Sequence, residues 1–114
     1  MKFDFSDERL LAVVAHPDDA EVQCVGTLAR AKEEKAAIGI VVMCKGDRGQ
    51  PEKHIPNLDV IRREEMTKAA NLLGAELFFC DIGDGTLMDN ASVRDQLVEI
   101  YRKFKPTLVL AHDP

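Results

Sequence analysis

A chain of 114 residues is long enough to bury one core and small for an α/β enzyme, so residues 1–114 read as a single domain. Fifteen Lys and Arg against twenty Asp and Glu give a net charge of −5 with no basic run, which argues against nucleic acid or anionic lipid as partners. No stretch approaches the length of a membrane span, the first eight residues are too acidic for a signal peptide, and three cysteines without a C-x-x-C pair fit the reduced thiols of a cytoplasmic protein.

The first predicted strand is the apolar run Leu10 to Ala15. Helical spacing follows from Ala20 to about Lys35, with Val22, Val25, Leu28 and Ala29 on the face expected to be buried. Ala37 to Cys44 is apolar throughout and rich in β-branched residues, as a strand covered on both faces should be. Lys45 to about Leu58 is a long polar loop containing Gly46, Gly49, Pro51, His54 and Pro56, and His54 reads as a solvated loop residue. Asp59 is the expected cap of a helix from Val60 to Leu73, ended by Gly74. Ala75 to Cys80 makes a third strand, and Asp81 to Asp89 a second polar loop. From Asn90 to Phe104 the spacing is again amphipathic, with Val93, Leu97, Ile100, Tyr101 and Phe104 inward, and Pro106 stops it before a fourth strand, Thr107 to Ala111.

Strict alternation of strand and helix predicts a Rossmann-like α/β/α fold with a mostly parallel sheet, since each crossover must be a right-handed βαβ unit. The polar clusters then acquire a common location. His16, Asp18 and Asp19 follow the first strand, Asp47 and Arg48 the second, Asp81 and Asp84 the third, His112 and Asp113 the fourth. All sit at the carboxyl edge of the sheet. With strand order 3-2-1-4 the topological switch point falls between the first and fourth strands, which brings His112 beside His16, Asp18 and Asp19.

The turn Ala15-His16-Pro17-Asp18-Asp19-Ala20-Glu21 sets an imidazole and three carboxylates within six positions. Imidazole and carboxylate are both zinc ligands, so His16 and Asp19 are candidate metal ligands. Asp18 is then available as a general base towards water, and Pro17 stiffens the turn. The bland alternative is that Asp18 or Asp19 caps the following helix and His16 is a surface residue. Cys24, Cys44 and Cys80 read as small buried hydrophobes, with a thiolate ligand as the minor option.

This turn resembles the signature of the zinc-dependent N-deacetylases of the PIG-L or LmbE-like family. Gly46-Asp47-Arg48-Gly49 is similar to that family's loop after the second strand, Arg62-Arg63-Glu64-Glu65 with Leu73-Gly74 to its second helix, and Asp84-Gly85 before Leu87 to its Asp-Gly. The resemblance implies a cytoplasmic hydrolase that removes the acetyl group from an N-acetylglucosamine-containing small molecule. It implies Zn2+ or another divalent metal on His16 and Asp19, Asp18 as the general base, Arg48 and Arg62 near substrate, and Asp84 lining the same cleft. The family's third zinc ligand and a general-acid histidine lie in a His-Pro-Asp-His motif, and the sequence ends at His112-Asp113-Pro114 before such a motif. Either His112 is the third ligand of a minimal site, or residues 1–114 are the N-terminal portion of the domain, poorly active alone. The second is favoured, because an uncovered fourth strand leaves an exposed edge that also promotes homo-oligomers.

A rival from another class is a receiver-type phospho-acceptor module, which shares the parallel sheet, an acidic pair after the first strand and an aspartate ending the third, here Asp81. Its acidic pair follows the strand without an intervening His-Pro, and it needs a hydroxyl after the fourth strand, where this chain has Ala111-His112. A catalytically inactive metal-binding fragment is the third option.

Overall fold

A computed structural model describes residues 3–48 and 55–113. The expectations placed on Gly49, Pro51 and His54 lie outside the described residues. Four parallel strands, β1 (Arg9–Val14), β2 (Ala37–Cys44), β3 (Glu76–Ile82) and β4 (Leu108–Ala111), form one sheet in the order β3-β2-β1-β4. This is the expected order, with β1 between β2 and β4; Leu11 pairs with Gly39 on one side and Val109 on the other.

The two central strands, β1 and β2, are buried from both sides, whereas β3 and β4 at the sheet margins are only half-covered. Leu10, Leu11 and Ala12 are wholly inaccessible although their side chains alternate between faces, which explains the unbroken apolar run of β1. On one face Leu10, Ala12, Val14, Ile40 and Val42 pack with Ala20, Leu28, Ala31 and Met66. These come from the helices α1 (Asp19–Gln23), α2 (Val25–Glu33) and α3 (Leu58–Leu73). On the other face Leu11, Val41, Met43 and Cys44 pack with Phe104 from α4 (Ala91–Phe104), whose Val93, Leu97 and Ile100 are half-buried. Each fully buried Leu, Ile or Phe contributes about 1.5–3 kcal/mol. Gly39 makes the second face possible: a Cβ there would stand 2.9 Å from Leu11 Cδ1 and 3.0 Å from the Phe104 ring.

At the amino edge, Arg9 joins β1 to the α4–β4 link. Its Nε donates to Phe104 O at 2.9 Å, its guanidinium lies 4.6 Å from the centre of the Phe104 ring, and its backbone N–H donates to Thr107 Oγ1 at 2.8 Å.

Several expectations need correction. The single helix from Ala20 to Lys35 is two, interrupted at Cys24, where φ is −139°. The interruption resets the helical phase, so Val22 and Val25 are exposed while Leu28 and Ala31 are buried; Ala29 faces solvent. α3 starts at Leu58, and Asn57, in the left-handed conformation, occupies the cap position, placing Asp59 in the first turn where it complements the helix dipole. β3 runs on to Ile82, so Asp81 belongs to the strand, with φ at +56° beside a register shift between Val42 and Cys44. Tyr101 lies at the rim of α4 and is exposed. No helix among the described residues is long and apolar enough to cross a membrane.

Candidate active site

The carboxyl ends of β1, β2 and β3 open onto a cleft of about 370 Å³ lined by His16, Asp18, Asp19, Arg48, Arg62 and Asp84, with Pro17 and Gly46. Residues singled out from four separate sequence segments therefore meet at one edge of the sheet.

The β1–α1 turn holds itself. Asp19 Oδ2 accepts from the His16 backbone N–H at 2.9 Å, and Asp19 N–H donates to His16 O at 3.1 Å. Asp18 occupies the cap position of α1, yet its side chain makes no capping hydrogen bond. The bland alternative for Asp18 thus fails at the atom that matters: its exposed carboxylate is not spent on the helix end. Glu21, one turn on, has its carboxyl pushed up by partial burial and then by the nearby negative charges of Asp18 and Glu65.

The loops after β2 and β3 clasp each other. Among the described residues Asp84 is the one buried charged side chain, and its Oδ1 accepts from Gly46 N–H and its Oδ2 from Arg48 N–H, both at 2.9 Å. In return Asp47 Oδ1 accepts from Asp84 N–H at 3.0 Å, and that bond is the main cause holding the Asp47 carboxyl below its ordinary range. Gly46 is required here. Its φ is +74°, and a Cβ would sit 3.0 Å from Pro17 Cδ. Asp84 therefore lines the cleft while its oxygens orient the loop that carries Arg48.

The two helix arginines divide. Arg62 lines the cleft and pairs with Glu65 at 3.2 Å. Arg63 turns away, 3.9 Å above the Phe79 ring and 2.7 Å from Asp81 Oδ1.

The donor set at the β1 turn suits a divalent metal. His16 Nδ1 lies 3.7 Å from Asp19 Oδ2, and His112 Nε2 lies 3.3 Å from the same oxygen. Two ligands about 2.05 Å from a tetrahedral zinc ion stand about 3.3 Å apart, so these separations need only small adjustment. His112 carries one qualification of chemistry: its Nε2 also accepts from Ala15 N–H at 3.1 Å. One lone pair cannot serve a backbone donor and a metal together, so His112 ligates only by releasing Ala15.

One participant, Cys44, has a ligand role only as the minor option in the sequence, which does not place it at the cleft. Cys44 Sγ lies with a ligand atom of His16 and one of Asp84 in a group whose members are all within 4.8 Å of one another. Burial, then Asp84, Asp47 and Asp19, push the Cys44 thiol up. The available signal was its position as the last residue of β2, directly before the Gly46-Asp47-Arg48 turn.

The family model described as PIG-L, GlcNAc-PI de-N-acetylase, matches residues 11–114, from β1 through all the cleft residues above. The chain belongs to the PIG-L family. Among curated PIG-L-like relatives, it is 32% identical to 4-oxalmesaconate hydratase of Pseudomonas putida over 90% of this chain and 42% of that protein. It is 28% identical to diacetylchitobiose deacetylase of Thermococcus kodakarensis, over 96% of this chain and 43% of that one. The structure of N,N'-diacetylchitobiose deacetylase from Pyrococcus horikoshii superposes with a TM-score of 0.85 at 29% identity, covering 93% of this chain and 41% of the other. The chain spans less than half the length of these relatives. Membership in the PIG-L family sets aside the receiver-type alternative.

Proposed function

We propose that the chain forms the metal-binding and base-carrying part of a hydrolase that removes the acetyl group from an N-acetylglucosamine-containing small molecule. The observation that carries this reading is the uncapped, exposed carboxylate of Asp18 beside the His16 and Asp19 donor set. His16 and Asp19 would hold a divalent metal such as Zn2+, with His112 a third ligand if it exchanges its bond to Ala15. When bound, such an ion lowers the pKa of water to about 7 and polarises an acyl oxygen.

Asp18 takes a proton from the attacking water as its oxygen bonds to the acetyl carbon. The carbon–nitrogen bond then breaks, and the leaving nitrogen takes that proton to depart as an amine. Arg48 and Arg62, on the cleft wall, orient the sugar's oxygens, and Asp84 keeps Arg48 in place through the backbone. Asp18→Asn retains the shape and removes the acceptor of the proton. Amine release from N-acetylglucosamine derivatives should fall by about 100-fold to 10,000-fold while bound metal is unchanged. Near-normal turnover would place the base elsewhere.

A second reading has support in the 32% identity to a hydratase. The same base can deliver water to a carbon–carbon double bond of an unsaturated polyacid, with Arg48 and Arg62 meeting carboxylates. Assaying 4-oxalmesaconate hydration beside amine release separates the two.

A further inference from the structure

Against the cleft lies a donor set that includes a thiol the hydrolytic roles leave unused. His16, Cys44 and Asp84 each offer one ligand atom, and these atoms lie within 4.8 Å of one another, with Cys44 and Asp84 buried. We propose that these three residues form a second cation site, selective for a thiolate-preferring divalent ion of the cadmium class, and that it competes with the His16–Asp19 site for the same imidazole.

Geometry supports the placement. His16 Nε2 stands 3.7 Å from Asp84 Oδ1, and ligands on a tetrahedral ion with bonds of about 2.0–2.2 Å stand roughly 3.4 Å apart, a contraction of a few tenths of an ångström. One of the three donors is already fixed, and the backbone that carries a second is anchored. Asp84 is held by the Gly46 and Arg48 N–H groups, and Cys44 is anchored by its own N–H donating to Ala15 O at 2.7 Å. Among the described residues Asp84 has no Lys or Arg within salt-bridge distance, and His16 is its only such partner. One nitrogen, one sulfur and one oxygen leave a fourth position open towards the cleft, from which the half-exposed His16 ring is reached.

The competition follows from the ring. Nδ1 faces Asp19 and Nε2 faces Asp84, and a neutral imidazole has a single lone pair. An ion on the Nε2 side therefore leaves a proton on Nδ1 and withdraws His16 from the outer site. Sulfur sets the preference of the inner site, since thiolate selects soft ions where carboxylate and imidazole alone do not. Binding displaces the Cys44 thiol proton to solvent, so each ion bound releases one proton from sulfur.

The inference stands whether or not the protein is a deacetylase, because it is tested by spectroscopy. Cd2+ titrated into the purified protein should raise a thiolate-to-cadmium ultraviolet absorption that saturates at one ion per chain. Cys44→Ala should abolish the band and weaken Cd2+ at least about tenfold, whereas Cys80→Ala and Asp19→Ala should keep the band. No band in the unmodified protein, or a band that survives Cys44→Ala, overturns the site. Should Cys44→Ala not fold, the pair His16→Ala and Asp19→Ala decides: the first must lose the band and the second keep it, and equal behaviour refutes the proposal.

Discussion

Replacing Asp84 with alanine removes the carboxylate that joins the two loops of the cleft. It accepts from Gly46 N–H and Arg48 N–H at 2.9 Å each. Gly46 is buried, so its donor cannot find water, and stranding it costs about 1–3 kcal/mol. Arg48 is exposed and its N–H rehydrates, which limits its share to about 1 kcal/mol. Together these predict a loss of about 3 kcal/mol, a large part of the 5–15 kcal/mol of a typical domain. Asp84→Asn should cost less, since one oxygen still accepts while the amide meets a donor. Urea unfolding measures the sum, and amide hydrogen exchange at Gly46 and Arg48 localises it. A loss below about 1 kcal/mol with unchanged exchange at Gly46 would refute the clasp as a source of stability.

Three further outcomes follow from the same structure. Gly39→Ala pushes a methyl into Leu11 and Phe104 and should lower stability by about 1–3 kcal/mol, read as a lower thermal midpoint with the sheet's circular dichroism retained. The Asp47 carboxyl is held below its ordinary 3.8 by the Asp84 N–H, so its contribution is fully present above pH 3.8 and is lost as pH falls through the lower folded value. Asp47→Asn should accordingly flatten the acid limb of a stability–pH curve below pH 3.8. Glu21 has the opposite sign: its raised carboxyl means ionisation disfavours the fold above its ordinary 4.5, so Glu21→Gln should match or exceed the parent's thermal midpoint at pH 7. A lower midpoint would show that Glu21 makes a favourable contact.

The β1 turn and the strand order were legible in the residues, because parallel strands buried on both faces announce themselves as unbroken apolar runs and the polar groups cluster where those runs stop. The break at Cys24 was not: helical spacing continues through Val22, Val25 and Leu28, and only the packing of Leu28 and Ala31 against the sheet fixes which phase is used. The Asp47–Asp84 exchange spans 37 positions, and no local pattern marks one carboxylate as the partner of the other's backbone. The same holds for Cys44. A terminal strand residue that is buried and apolar in character looks like any other until the β3 loop is folded over it.

Arg9 gives the sheet two unlike edges. The amino edge is closed by a guanidinium shared between the Phe104 ring and carbonyl, while the carboxyl edge carries the acids, imidazoles and arginines of the cleft. β1 is six residues long, so the edges lie about 20 Å apart, more than twice the screening length of about 8 Å at physiological salt. Charges can therefore be exchanged at the cleft without disturbing the staple, and the staple strengthened without altering the potential felt by a ligand. Substitutions at the two edges should combine additively, which makes Arg9 and its neighbours a reserve of stability that a lineage can draw on while the cleft changes its chemistry from one reaction to another.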